Sequence, residues 1–331
     1  MIIQRKKPVN IKNEDLWIFK HELEKTFKDP QILDIKNVVL NGELHFEKRT
    51  NSSLLLSYYN KTFETSLWQK IKKIMKFQFC IKLRKHFIIT DDWSNGYFHW
   101  LMDCLPRLML LTEKGMKLPL LLPAHLKDEG YISESLHLLG IKNFTFTLKD
   151  NWYYFKSLTF PVHPAATGNY NDEVMRILRN NLVTNPQEPF GLKIYISRSK
   201  ASRRKIVNEE QILPILSRMG FKTIYCEDLS FLEQVILFSK VRYLVSNHGA
   251  GLSNMLFMSS GASILELRKI NDNHNNCYFS LASSLNLKYY YLKCLPLDEQ
   301  EESHIANIKV PVKEFEDEIK NFINQEKIIS A

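Results

Sequence analysis

The sequence has no apolar run approaching ~20 residues, the length a helix needs to cross a hydrocarbon core, so no segment reads as membrane-spanning. Its opening, MIIQRKKPVNIKNEDL, has no hydrophobic stretch followed by a small-residue cleavage site, and no secretory signal is expected. Cysteine is sparse. Cys80, Cys104, Cys226, Cys277 and Cys294 are odd in number and without metal-type spacing, which fits reduced, mostly buried thiols in a cytosolic protein. There is no Gly-Lys-Ser/Thr loop, no GxGxxG and no GxSxG, so ATP hydrolysis, nicotinamide chemistry and the simplest hydrolases lose their usual marks. No Asp-x-Asp pair follows a hydrophobic strand. Asp91 and Asp92 are adjacent and diverge, and His125, His137, His163 and His274 lack ligand spacing, so no metal and no cofactor is expected. A zinc knuckle, an RNP-like segment and an arginine-glycine tract are all missing, which argues against nucleic acid.

What is present is a basic, globular chain. Its 331 residues suit two domains, and a net charge of +9 favours an anionic partner: a nucleotide diphosphate, a lipid pyrophosphate or anionic phospholipid. The cluster Lys70–Lys85 mixes cations with apolar residues. It reads either as a solvated basic face beside a strand or as a peripheral contact with an anionic membrane.

Short alternating runs over 31–47 predict strands or a hairpin. Further on, 86–90, 118–122, 144–148 and 152–160 read as strands, and Tyr97–Leu111, 132–140 and 172–182 as helices. TNPQEPFG (184–191) collects Pro, Asn and Gly, and the domain linker is placed there. Beyond it, strands at 193–197, 221–225, 242–246 and 263–267 alternate with helical patterns at 208–219, 229–239 and 250–259. That alternation predicts an α/β fold with a parallel sheet, whose ligands bind at the carboxyl ends of the strands. A final helix, Val312–Glu326, is a candidate to pack back on the N-terminal domain.

Three blocks carry candidate chemistry. In SNHGAGLSNMLFM (246–258) a strand, a small-residue turn and a helix follow one another, the arrangement that offers backbone N–H groups to phosphate. Gly249, Ala250 and Gly251 keep side chains away from a diphosphate, and His248 adds a donor. The alternative is a tight turn that holds nothing. In YISRSKASRRKIVNEEQI (195–212), Arg198 leaves a strand, Arg203 and Arg204 follow in a polar loop, and Asn208 with Gln211 has a capping-box pattern. Guanidinium forks match a departing diphosphate without a metal, although a solvated basic loop has the same composition. In NGYFHWLMDCLPRL (95–108), His99 and Asp103 are four apart and share a helix face, while Pro106 releases the carbonyl of Met102 and predicts a kink. A carboxylate, alone or with an imidazole, can take the proton of an attacking hydroxyl. Asp103 is the first candidate base and His99 the second. The pair can equally be a buried polar contact, and Trp100 and Tyr97 either a sugar platform or core. Glu266, at the end of SILEL, can accept from ribose hydroxyls or pair with Arg268.

Together, in this order, the three blocks resemble glycosyltransferase family 61, over about residues 85–295. That family includes N-acetylglucosaminyltransferases of O-mannosylated proteins and of EGF-like domains, plant xylan pentosyltransferases, and bacterial enzymes of capsule and exopolysaccharide synthesis. The resemblance implies a GT-B fold, two Rossmann-like domains facing each other across a cleft. It implies an inverting, metal-independent transfer from a nucleotide sugar to a saccharide hydroxyl. The expected division is an acceptor-binding domain over 1–187 with a β-rich start over 1–85, a sugar-nucleotide domain over 188–310, and the helix over 311–331. Arg198, Arg204, His248–Gly251, Ser253 or Asn254, and Glu266 then belong to the donor side, and Asp103 and His99 to the acceptor side. The expected setting is the cytoplasm, at the inner face of a bacterial membrane, with a lipid-pyrophosphate-linked acceptor. A non-catalytic nucleotide- or saccharide-binding module and a membrane-peripheral scaffold are the rival readings.

Overall fold

The computed structural model describes residues 2–44, 80–115, 117, 119–184 and 191–329. Most of the basic cluster Lys70–Lys85 lies outside them; its end, from Ile81, is the start of a strand. The chain forms two compact units, one made of Met1–Phe27 with Ala166–Ala331 and the other of Lys28–Ala165. The division thus falls at 165/166, not at the Pro-rich segment 184–191, and the first 27 residues join the C-terminal unit. No helix among the described residues is long and apolar enough to cross a membrane.

Short strands β1 (Ile2–Gln4) and β2 (Glu24–Thr26) pair antiparallel at the start of the chain. Buried polar contacts tie this segment to the C-terminal unit. Arg5 donates to Asn169 at 2.9 Å, the Tyr291 hydroxyl donates to Asp15 at 2.7 Å, and Asn276 donates to the Ile18 carbonyl at 2.8 Å.

The 28–165 unit is a mixed five-stranded sheet in the order β3-β7-β4-β5-β6. Its strands are β3 (Ile32–Asn41), β4 (Ile81–Phe87), β5 (Leu120–Leu122), β6 (Phe144–Phe146) and β7 (Trp152–Pro161). β4, β5, β6 and β7 are parallel, and β3 runs antiparallel to β7; the end of the expected 31–47 strands, from residue 45, lies outside the described residues. Between β4 and β5 lies helix α1, built from Tyr97–His99, a π-helical turn Trp100–Cys104 and Leu105–Glu113. The expected disturbance before Pro106 is therefore a widened turn: proline offers no N–H to Met102, and the backbone absorbs the missing bond as π geometry. Helix α2 (Gly130–Leu138) follows β5. Trp100 is fully buried and donates from its indole to Ser135 at 2.8 Å, so it is core, not a sugar platform.

In the other unit, α3 (Asp172–Leu182) leads into a six-stranded sheet in the order β13-β12-β11-β10-β8-β9. The strands are β8 (Leu192–Ile196), β9 (Lys222–Ile224), β10 (Val241–Asn247), β11 (Ser263–Lys269), β12 (Lys288–Pro296) and β13 (Ile308–Lys309). All pairs but β12/β13 are parallel. Parallel strands covered on both faces read as mostly apolar runs, and β10 and β11 are buried along nearly their whole length, the buried Glu266 and Arg268 being the charged exceptions in β11. Helices α4 (Glu209–Arg218), α5 (Phe231–Phe238), α6 (Cys277–Ser284) and α7 (Val312–Ile329) complete the unit. Tyr195, Ile212, Leu216, Val245, Leu265, Phe315, Ile319 and Phe322 form one core under α4 and α7. The final helix therefore packs on α4 and β12 of its own unit.

Two local expectations are revised. The helix expected over 250–259 is a 3-10 helix, Ala250–Phe257. Asn208 sits at the cap of α4 but makes no side-chain cap bond; its amide instead pairs with both backbone groups of Val310, at 2.9 Å each.

Candidate functional site

Counted in chain order, the five parallel strands of the C-terminal sheet run 2-1-3-4-5 across it, so the winding reverses between β8 and β10. Ligands of doubly wound sheets bind outside the carboxyl ends at that reversal. Here those ends deliver Ser197–Arg198 from β8 and His248–Gly249 from β10. The two meet: a Cβ built on Gly249 would lie 2.4 Å from Arg198 Nη1 and 2.8 Å from its Cζ. With φ at 173°, Gly249 is ordinary extended backbone, so glycine is needed there for space alone. At Gly251 an added Cβ would come 3.2 Å from Ile196. These small residues thus make room for β8 and for Arg198, which fills the space that the sequence reserved for a diphosphate.

Arg198 and Arg204 are both half-buried, whereas Arg203 is exposed. Burial, and then the neighbouring charge of Arg204, lowers Arg198 from the usual arginine value; burial lowers Arg204 as well. Among the described residues neither guanidinium pairs with a carboxylate, and the Nε of each is buried without a hydrogen-bond partner. Arg204 also holds φ at +56°, a left-handed conformation unusual for its type. Asn247 fixes it by donating to the Arg204 carbonyl, and the Arg204 amide bonds Ile305 at 3.3 Å. Two unneutralised, part-buried cations on a strained, braced loop are costly unless an anion completes them.

His248 is held beside them. Its Nδ1 is 2.6 Å from Glu266 Oε1, and its ring packs against Tyr278 with centroids 4.8 Å apart. Glu266 lies in the middle of β11, not at its end, and is fully buried; the Tyr289 hydroxyl donates to its other oxygen. Burial alone would raise Glu266, but His248, Arg268 and Tyr289 outweigh it and keep the carboxyl below its usual range. Both Glu266 oxygens are thus engaged inside the fold. With Nδ1 occupied, Nε2 is the atom of His248 without a partner among the described residues. Ser253 and Asn254 are also buried, and Asn254 donates to Gln234 at 2.8 Å, fastening the 3-10 helix to α5.

A second polar cluster belongs to the 28–165 unit. There β5 and β6 lie on one side of β4 and β7 on the other, so the winding reverses between β4 and β7. Asp91 follows β4, His163 follows β7, and α1 supplies His99, Asp103 and Arg107. Asp103 is 1% exposed, and its Oδ2 is 2.7 Å from His99 Nδ1 while Oδ1 is 3.6 Å from His163 Nε2. Arg107 donates to the Ile89 carbonyl at 2.8 Å and to Asp91 at 2.6 Å. Burial would raise Asp91, but the Arg107 charge and hydrogen bond prevail and hold it below the usual carboxylate range. His99 is the partly open member, and its Nε2 is unpartnered among the described residues. His163, Asp91 and Arg107 were not read as site residues from sequence, although all three follow from the strand-end rule and from the helix that serves them.

Burial, and then the Arg107 charge, pushes His163 down to about 4. An unfolded histidine takes its proton near pH ~6.5, so between about 6.5 and 4 the unfolded chain binds more protons and stability rises with pH. This contribution is expected to be complete above pH ~6.5 and to fall by at most ~3 kcal/mol as pH drops to ~4. Urea melts across that range check it: His163→Gln should flatten the slope relative to wild type, and an unchanged slope would place the titration elsewhere.

The family model described as Glycosyltransferase 61 matches residues 97–265, a span that takes in His99, Asp103, Arg198, Arg204 and His248. Protein O-linked-mannose beta-1,4-N-acetylglucosaminyltransferase 2 of Canis lupus familiaris is 31% identical over 212 residues, 60% of this chain and 34% of its own. The Homo sapiens protein of that name is 31% identical over 182 residues, 51% of this chain and 30% of its own. EGF domain-specific O-linked N-acetylglucosamine transferase of Drosophila melanogaster is 32% identical over 110 residues, 31% of this chain and 21% of its own. The chain spans about a third or less of the length of these relatives.

Proposed function

This chain belongs to glycosyltransferase family 61, and from that premise we propose that it is a glycosyltransferase performing an inverting, metal-independent transfer of a sugar from a nucleotide diphosphate to a saccharide hydroxyl. The observation that carries it is the pair Arg198 and Arg204: half-buried, without carboxylate partners among the described residues, at the winding reversal of a parallel sheet. In this reading the two forks and His248 Nε2 take up the charge that grows on the leaving diphosphate. Gly249, Ala250 and Gly251 contribute the backbone of that wall, while Glu266, Ser253 and Asn254 hold it in place from behind.

On the acceptor side we propose His99 as the base and Asp103 as the group that orients it, because Asp103 is buried and His99 is the open partner. The acceptor oxygen gives its proton to His99 Nε2 and bonds to the anomeric carbon. The bond from that carbon to the diphosphate breaks on the opposite face, and its electron pair leaves with the phosphate oxygen. The same proposal gives the chain a GT-B architecture, with nucleotide binding in the C-terminal unit and acceptor binding in the 28–165 unit.

Thermal melting against nucleotides and sugar nucleotides is the direct test, since a ligand at ~100 times its Kd adds ~2.7 kcal/mol of stability. No shift with any nucleoside diphosphate would remove the donor side of the proposal. Transfer should persist in EDTA; a strict need for manganese or magnesium would remove the metal-free part. The relatives' names make N-acetylglucosamine the first donor sugar to try. We place the reaction in the cytoplasm, at the inner face of a membrane, on a lipid-pyrophosphate-linked saccharide of capsule or exopolysaccharide synthesis. The net charge of +9 is the support for that setting. An acceptor panel holding both lipid-linked saccharides and O-mannosylated peptides separates it from the protein acceptors named for the relatives.

A further inference from the structure

We propose that Trp93 is the floor of an acceptor-sugar subsite, binding a pyranose that has an unbroken apolar C–H face. The inference rests on the reading of His99 as base. Trp93 is 69% exposed, an unusual state for the largest side chain. The turn beneath it is locked. The Trp93 amide donates to Asp91 Oδ1 at 3.0 Å, and the Asp91 amide donates to Ser94 Oγ at 2.7 Å. Ser94 is buried, its hydroxyl bonds Asp91 at 3.1 Å, and the Cys104 thiol donates to it at 3.1 Å. Arg107 clamps the same Asp91 from α1. The backbone beneath the indole is thus fixed by a part-buried polar network in which the ring itself takes no part.

Its neighbour decides what the ring is for. The Trp93 and His99 rings lie 5.7 Å apart, centroid to centroid, at 37° to each other. That separation is comparable to the width of one pyranose. A sugar laid on the exposed indole brings an edge hydroxyl to His99 Nε2, while its C–H groups meet the aromatic face. Trp93 thus takes the platform role that the sequence left open between a sugar contact and the core for Trp100, which is buried. Selectivity follows from the chemistry: an axial hydroxyl on the stacked face breaks the apolar surface and is disfavoured.

Saturation-transfer difference NMR with methyl glycosides of glucose, N-acetylglucosamine, mannose and galactose tests the subsite without a known acceptor. Wild type should saturate the C–H protons of one face of at least one glycoside. Trp93→Ala should lose that signal, weakening binding about tenfold, and Trp93→Phe should keep most of it. Equal signals in wild type and Trp93→Ala, or no signal from any glycoside in wild type, overturns the proposal. Nucleoside diphosphate affinity, measured on the same samples, should be identical in all three proteins; its loss in Trp93→Ala would mean a structural role and equally overturns the proposal. Full transfer activity in His99→Gln would instead defeat the reading of His99, which the glycoside spectra do not depend on.

Discussion

His99→Gln is expected to cut transfer by roughly 10²–10⁴-fold, the usual worth of a positioned base, while nucleoside diphosphate affinity stays within a few fold. The substitution changes the partner of the buried Asp103 carboxylate, so a stability cost of up to about 1–3 kcal/mol is expected and melting is read on the same samples. Asp103→Asn should lower transfer as well, because an amide no longer secures the proton on His99 Nδ1 and the ring is free to present the wrong nitrogen. The two variants discriminate the roles. If Asp103 itself takes the proton, His99→Gln keeps most of its turnover and Asp103→Asn does not. Single-turnover rates with saturating donor read the difference directly.

Arg198→Ala is expected to weaken nucleoside diphosphate binding by about 1.5–3 kcal/mol, or roughly 10- to 150-fold. The unliganded protein should melt no lower than wild type, since the change removes one of two neighbouring cations that lack a carboxylate. Arg198→Lys keeps the charge but not the fork, and should recover only part of the affinity. Calorimetric titration and thermal melting on the same variants test both halves. An unchanged Kd would take Arg198 out of the binding wall, and a large drop in unliganded stability would make it a structural residue.

The sequence made the C-terminal sheet legible because its strands are short, apolar and regularly interrupted by helices. That pattern put Arg198 and His248 at strand ends correctly. Glu266 was misplaced for a related reason: β11 continues to Lys269, and a charged pair in the strand looked like its exit. Arg268, two residues on, was visible as a partner of Glu266, but the hydrogen bonds from His248 and Tyr289 join residues 18 and 23 positions away and have no local signature. The His99–Asp103 contact was readable from helical spacing alone, and it exists at 2.7 Å. His163 and Asp91 were not, because their meeting depends on β7 lying beside β4, a long-range pairing with no local signature. The helix at 250 was expected as α from its apolar period; eight residues of 3-10 geometry serve instead, with Gly251 tight against Ile196. The unit boundary was missed since a proline cluster marks a loop, not the place where contacts thin out.

The first 27 residues and the last half of the chain share one body, so the 28–165 unit is an insertion within it. On the ribosome, the inserted unit has all its strands once residue 165 is made, whereas its host must wait for α7 to emerge. Arg5, Asp15 and the Ile18 carbonyl are synthesised before the inserted unit and meet Asn169, Tyr291 and Asn276 only after it. The His99–Asp103 pair is thereby complete in the chain before Arg198, Arg204 and His248 are made, so a nascent chain halted in between would hold the first polar cluster without the second.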